Sequence, residues 1–116
     1  MSIISVSGLW QKMIQVLNRH HYKDGLPAAS VYVGRGHTLG NPFRRGIEAK
    51  DKDEAILLYK RWLYQGILSK DARYEALMAL KHQLEQDGKL NLVCSCHPKA
   101  CHADIIADAI TYLQEN

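Results

Sequence analysis

The sequence lacks any apolar run that approaches the roughly 20 residues needed to span a bilayer. Its first residues, Met1-Ser2-Ile3-Ile4-Ser5-Val6, have neither the basic region nor the long apolar core of a signal peptide. An excess of either charge is also lacking, because the net charge is only +3 at pH 7. This value permits an anionic partner, whereas a nucleic-acid binder usually has a denser basic stripe. We therefore expect a cytosolic protein without membrane association, and nucleic acid is not indicated as a partner.

Cysteine is scarce as well, and its distribution is uneven. The chain of 116 residues has three cysteines, Cys94, Cys96 and Cys101, all within eight residues and beside two of its six histidines. In a cytosolic protein such a cluster is more typical of reduced thiols or metal ligands than of a disulfide framework. The length predicts a single domain over residues 1–116.

The apolar pattern predicts an α/β fold. Val31-Tyr32-Val33 is typical of a buried strand, and the alternation of Leu90, Leu92, Cys94 and Cys96 predicts another. Helices are predicted after two candidate caps, Asp51 (with Glu54 three residues on) and Ser69. A third helix is predicted from His102, where apolar residues recur at helical spacing. Gly88 is a typical helix terminator. We expect a small three-layer sandwich with a mostly parallel, Rossmann-like sheet flanked by helices.

Both irregular loops follow predicted strands. The glycine loop (residues 34–43) contains three glycines and a proline, and the cysteine-histidine loop (residues 94–104) precedes a helix. Ligands of parallel sheets bind at the carboxyl ends of the strands, next to helix N-termini. The sequence therefore predicts a site formed by these two loops.

Two motifs resemble a known family. Val31-Tyr32-Val33-Gly34-Arg35-Gly36 with Gly40-Asn41-Pro42-Phe43, and Cys94-x-Cys96-x-Pro98-x-x-Cys101-His102-x-Asp104, are similar to the domain of unknown function 4326 family of small bacterial and bacteriophage proteins. The likeness runs from about Gln15 to Leu113 and leaves out residues 1–9. It implies that Gln15-Val16-Leu17-Asn18 is the first core strand, where local pattern alone allows a helix or a strand. His37 departs from the small hydroxyl residue common in the family, and we interpret it as incidental.

The glycine loop suggests a phosphate site. Backbone N–H groups near Gly34, Gly36 and Gly40 can approach an anion, and Arg35 can pair with a phosphate, with Asn41 beside them. Arg44 and Arg45 add positive charge. The alternative is that the glycines only form a tight turn and Arg35 pairs with a surface carboxylate, since Gly-Arg-Gly matches neither common nucleotide fingerprint.

The cysteine-histidine loop supplies candidate catalytic residues. A helix N-terminus and Lys99 would favour the thiolate of Cys101, with His102 (or His97) as acid or base. Asp104 could orient a histidine, although aspartate in a first helical turn is favoured without any function. Cys96 would face the reacting end of the ligand. Cys101 could instead be a structural thiol packed under the glycine loop.

Zinc is the alternative cofactor. Cys94, Cys96, Cys101 and His102 offer a tetrahedral donor set, although the spacing departs from common zinc motifs and Cys94 could be a buried small hydrophobe. The leading hypothesis is a protein that binds, and could process, a phosphorylated, nucleotide-like molecule. The rivals are a zinc-stabilised, non-enzymatic interaction module and a protein that binds a host protein partner.

Overall fold

The computed structural model describes residues 14–95 and 101–115. The described chain contains three strands, β1 (Ile14–Asn18), β2 (Ser30–Tyr32) and β3 (Leu90–Cys94). Three α-helices follow the second and third strands: α1 (Lys52–Ser69), α2 (Ala72–Asp87) and α3 (His102–Glu115). A short 3-10 helix, Arg19–His21, follows β1. The predicted α/β class is confirmed.

The sheet is parallel and has the strand order β1-β3-β2. Ile14 of β1 is level with Leu90 of β3, and Val31 of β2 is level with Leu92. The central strand is buried along its whole length, as is usual for a parallel strand covered on both faces. Since all three strands are parallel, the glycine loop and the cysteine-histidine loop both leave the sheet at the carboxyl ends of its strands.

The core joins one face of the sheet to the three helices, which also contact one another. Leu90, Leu92 and Cys94 share that face, as their alternation predicted. Their partners on the helices include the buried residues Tyr59 and Leu63 of α1, Leu77 and Leu84 of α2, and Ile106 and Ile110 of α3. No helix among the described residues is long and apolar enough to cross a membrane.

Helix ends follow the predicted chemistry at most positions. The carboxylate of Asp51 accepts a hydrogen bond of 2.8 Å from the N–H of Glu54, and Gly88 ends α2 with φ +75°. The predicted cap at Ser69 is wrong. Ser69 is the last residue of α1, Lys70 follows in the left-handed conformation, and Asp71 caps α2 by accepting from the N–H of Arg73.

The strands also refine the predictions. β1 confirms that the stretch 15–18 is a strand, as the family resemblance implied. β2 ends at Tyr32, although the N–H of Val33 still donates 3.0 Å to the carbonyl of Val93. The strand β3 ends at Cys94. Residues 1–9, Cys96 and His97 lie outside the described residues.

Candidate functional site

The glycine loop consists of two successive turns. The N–H of His37 donates 3.1 Å to the carbonyl of Gly34, and the N–H of Gly40 donates 2.8 Å to the carbonyl of His37. This folding brings Gly40 against Gly34, where a Cβ on Gly40 would lie 2.5 Å from the Gly34 carbonyl oxygen. Gly36, at the tip, has φ +96°, which L side chains rarely adopt. Gly36 and Gly40 are therefore required by the loop's own geometry.

Helix α1 holds the glycine loop in place through hydrogen bonds. The buried Tyr59 O–H donates 2.6 Å to the carbonyl of Leu39, whose side chain is itself fully buried. The side-chain amide of Asn41 links the loop to α1. Its Oδ1 accepts a hydrogen bond of 2.8 Å from the N–H of Phe43, and its Nδ2 donates one of 3.4 Å to the carbonyl of Ala55. Asn41 thus holds the loop's conformation with both ends of its side chain.

An open cleft of about 260 Å³ lies on the outer side of this loop. The side chain of Arg44 is engaged by Glu48 at 3.2 Å, which raises the pKa of the guanidinium. By contrast, exposed Arg35 forms no hydrogen bond or ion pair with any described residue. The predicted alternative pairing of Arg35 with a surface carboxylate is therefore not seen in the described chain. The cleft is lined by Arg35, Gly36, His37, Gly40, Asn41, Pro42 and Arg44.

His102 connects α3 to the start of the glycine loop. Its Nε2 lies 2.7 Å from the carbonyl of Val33, and since a carbonyl only accepts, Nε2 carries the proton and donates. Its Nδ1 lies 3.5 Å from the sulfur of Cys101. Burial lowers the pKa of His102, against smaller raising effects of the Val33 carbonyl and Asp104. The imidazole is therefore neutral at pH 7, and both of its nitrogens have protein partners.

The remaining residues of the cysteine-histidine loop are placed less favourably for contact with a ligand in the cleft. Cys101 is 3% exposed and packs in the core, close enough to Tyr59 to contribute, after burial, to raising the pKa of its phenol. Asp104 is exposed in the first turn of α3. Neither residue lines the cleft, and His102 is not among its lining residues either. The proposed role of Cys96 falls outside the described residues.

Of the predicted zinc set, Cys101 and His102 lie together in the structure, with 3.5 Å between the sulfur and Nδ1. Cys94 is 1% exposed and belongs to the core cluster with Leu90 and Leu92, as its strand position suggested. Within residues 14–95 and 101–115 no group of three or more His, Cys, Asp or Glu side chains could hold a metal ion. The full donor set includes Cys96 and so is not tested by this geometry.

His37 is a site residue that the sequence interpretation treated as incidental. It lines the cleft, and its Nδ1 accepts a hydrogen bond of 3.0 Å from the N–H of Leu39. Partial burial lowers the pKa of His37, so the neutral ring presents a proton on Nε2. Residue type gave no signal for this contact, because the side chains typical of such local bonds to the backbone are those of Ser, Thr, Asn and Asp.

Comparison with known proteins gives one result. The profile of a family described as a domain of unknown function (4326) matches residues 16–112, which is most of the chain and includes both loops. No curated protein and no solved structure matches the chain. The match agrees with the motifs that first suggested the relationship and with the observed first strand. The chain belongs to the domain of unknown function 4326 family.

Proposed function

We propose that the protein binds a phosphorylated, nucleotide-like small molecule whose phosphate enters the cleft on the glycine loop. The observation that carries this proposal is the position of Arg35. Its guanidinium is exposed at the cleft, and no described residue neutralises it. A guanidinium offers a fork of donors that matches the oxygens of a phosphate.

Backbone groups of the same loop support the proposal. The N–H groups of Arg35, Gly36 and Thr38 donate to no described residue, whereas those of His37, Leu39 and Gly40 are used within the loop. Successive N–H groups in a glycine-rich turn form concave anion sites. The loop also follows a strand of a parallel sheet at its carboxyl end, where ligands of such sheets bind.

The size and charge of the cleft define which part of the ligand it takes. At about 260 Å³ it is smaller than a typical small-molecule pocket of roughly 300–1,000 Å³. It therefore suits a phosphate or diphosphate end better than a whole nucleotide. Because Arg44 is paired with Glu48, Arg35 supplies the main positive charge, and neutral His37 adds a hydrogen-bond donor through Nε2.

Binding is the part of the hypothesis that this geometry supports. Chemistry by Cys101 would require the buried thiol to become accessible, and chemistry by His102 would require it to release Val33. The catalytic roles predicted for Cys96, Cys101, His102 and Asp104 therefore stay predictions. The known geometry of His102 is that of a residue that positions the loop.

Isothermal titration calorimetry with ADP, pyrophosphate and adenosine tests the proposal. We expect the two phosphate-containing probes to bind and adenosine to fail. Arg35→Ala removes a charged hydrogen bond of about 1.5–3 kcal/mol and weakens binding by roughly tenfold or more. Arg45→Ala is the matched control, because Arg45 is exposed in the next segment and does not line the cleft. Equal affinities for wild-type protein and Arg35→Ala, or no binding of either anion, would overturn the proposal.

A further inference from the structure

Arg19 is the first residue after β1, at the carboxyl end of the sheet. The central carbon of its guanidinium lies 5.2 Å from the centre of the Tyr32 ring, although Tyr32 belongs to β2 on the other side of the central strand. Leu17, Val93 and Tyr32 are level in the register, so they share the sheet face opposite to that of Leu92. Arg19 therefore reaches across the end of β3 to contact Tyr32.

The Tyr32 side chain connects Arg19 to the glycine loop. A Cβ on Gly34 would collide with the Tyr32 hydroxyl, so this hydroxyl lies directly against the first residue of the loop. Gly40, which lines the cleft, packs against the carbonyl of the same Gly34. The Arg19–Tyr32 pair does not itself line the cleft. The pair and the cleft are therefore neighbours that are joined through Gly34.

Both members of the pair have hydrogen-bond donors without an acceptor in the described chain. Arg19 is exposed, and apart from the Tyr32 ring its guanidinium has no described side chain as a hydrogen-bond or ion-pair partner. The Tyr32 hydroxyl bonds to no residue within 14–95 or 101–115. A guanidinium has donors only and a phenol can add one more, so the pair is suited to the oxygens of an anion.

The backbone that carries Arg19 is held in place. Arg19 opens the short 3-10 helix, whose N-cap Asn18 accepts a hydrogen bond of 2.9 Å from the N–H of His20. Nδ2 of Asn18 donates 3.4 Å to the carbonyl of Ser95, which ties this turn to the end of β3. Arg19 is thus positioned at both ends, by the turn and by the Tyr32 ring. A cation that is already positioned loses less entropy when it binds an anion.

The charge of the surrounding chain favours an anion at this position. Residues 19–50 contain six basic side chains against two acidic ones, a surplus of four where the whole chain has a net charge of +3. Of the two acids, Glu48 is paired with Arg44, and Asp24 forms no ion pair with a described residue. The other ten acidic residues lie on the three α-helices or at their caps.

We propose that Arg19 and the Tyr32 hydroxyl form a second anion subsite, and that the ligand therefore carries two separate anionic groups. This inference rests on the phosphate site proposed above. One phosphate occupies the cleft with Arg35, and the second anionic group lies beyond Gly34, against Arg19 and the Tyr32 hydroxyl. A diphosphate does not need the subsite, because the cleft itself has room for a diphosphate end. The ligand class is a nucleotide with phosphates at two positions of its sugar.

Isothermal titration calorimetry with AMP, pyrophosphate and adenosine 3′,5′-bisphosphate tests the subsite. The bisphosphate should bind about tenfold more tightly than AMP, since it gains a charged hydrogen bond at Arg19. Arg19→Ala should reduce the affinity for the bisphosphate to that for AMP, and should leave the affinities for AMP and pyrophosphate unchanged. Arg35→Ala should weaken the binding of all three probes.

Three further variants separate binding from structure. Arg19→Lys keeps a cation over the Tyr32 ring and should retain part of the advantage of the bisphosphate over AMP. Tyr32→Phe keeps the ring, deletes only the hydroxyl and should weaken binding of the bisphosphate by roughly two- to tenfold. Both variants keep the test valid if Arg19→Ala is unfolded by circular dichroism. Lys23→Ala removes an exposed positive charge four residues further along the chain and should bind every probe as the wild type does.

Two kinds of failure are distinguishable. The subsite alone is overturned if pyrophosphate binds and responds to Arg35→Ala, but the bisphosphate binds no more tightly than AMP or binds equally well to Arg19→Ala. A wild-type protein that binds none of the three probes overturns the phosphate site and the subsite together.

Discussion

The imidazole of His102 donates a hydrogen bond of 2.7 Å to the carbonyl of Val33 and so joins the first residue of α3 to the residue that follows β2. Val33 is fully buried, and its carbonyl has no access to a replacement from water. The bond therefore secures the point at which the glycine loop leaves the sheet.

Replacing His102 should destabilise the protein. His102→Ala leaves the Val33 carbonyl unsatisfied and should lower the free energy of unfolding by about 1–3 kcal/mol. His102→Gln should lose less of the free energy of unfolding, because a glutamine Nε2 can reach the same carbonyl. Urea denaturation of both variants checks the prediction, and an equal loss in the two would show that the hydrogen bond contributes nothing.

Stability should fall on mild acidification. Burial lowers the pKa values of His102 and His37 below their ordinary 6.5, so the unfolded chain takes up protons before the folded chain does. The stability that the two neutral histidines contribute to the folded state is fully present above pH 6.5, and it is lost as the pH falls from 6.5 through their folded-state pKa values. Urea midpoints at about pH 7.5 and about pH 5.5 measure the loss.

The control for this pH effect is His102→Gln, which cannot titrate. Its unfolding free energy should fall less between the two pH values than that of the wild type. An identical decrease in the two proteins would assign the pH dependence to other groups.

Removing the Tyr59 hydroxyl should loosen the glycine loop. Tyr59→Phe keeps the buried ring but deletes the 2.6 Å bond to Leu39, at a cost of about 1–2 kcal/mol in the free energy of unfolding. It should also weaken binding of pyrophosphate, since the loop presents Arg35. Tyr22→Phe is the control, because the Tyr22 hydroxyl bonds to no described residue. Unchanged stability and affinity in Tyr59→Phe would contradict this account of the loop.

Thiol reactivity should report on the fold. Cys94 and Cys101 are 1% and 3% exposed, so neither should react with Ellman's reagent in the native protein. In Cys96→Ser, which leaves only these two thiols, we expect no rapid reaction until denaturant is added. Rapid labelling of one thiol in native Cys96→Ser would instead mark Cys101 as accessible and would favour the predicted nucleophile.

Much of the architecture could be predicted from local chemistry. Asp51, Gly88 and the alternation of Leu90, Leu92 and Cys94 each act within a few residues, and each prediction about them is confirmed. The cap at Ser69 was wrong because Ser69 and Asp71 can both cap, and the choice depends on where α1 ends against the rest of the protein.

The site was predicted only in part for a different reason. Glycines and Arg35 signal a loop and a charge by their types alone, and four predicted ligand residues do line one cleft: Arg35, Gly36, Gly40 and Asn41. The partnership of His102 with Val33 depends on the distance between segments far apart in sequence, and the bond from the N–H of Leu39 to His37 depends on the turn that the loop adopts. Residue type did not distinguish a histidine that positions a loop from one that performs chemistry.

The strand order has a consequence for how the chain assembles. Both edge strands come before the central strand in the sequence, and β1 and β2 have no pairing with each other. During synthesis neither can form its sheet hydrogen bonds until residues 90–94 have left the ribosome. Such non-local pairing slows folding and exposes strand edges on the way. The sheet is therefore completed late, and a nascent chain that stops before β3 has no sheet among the residues described.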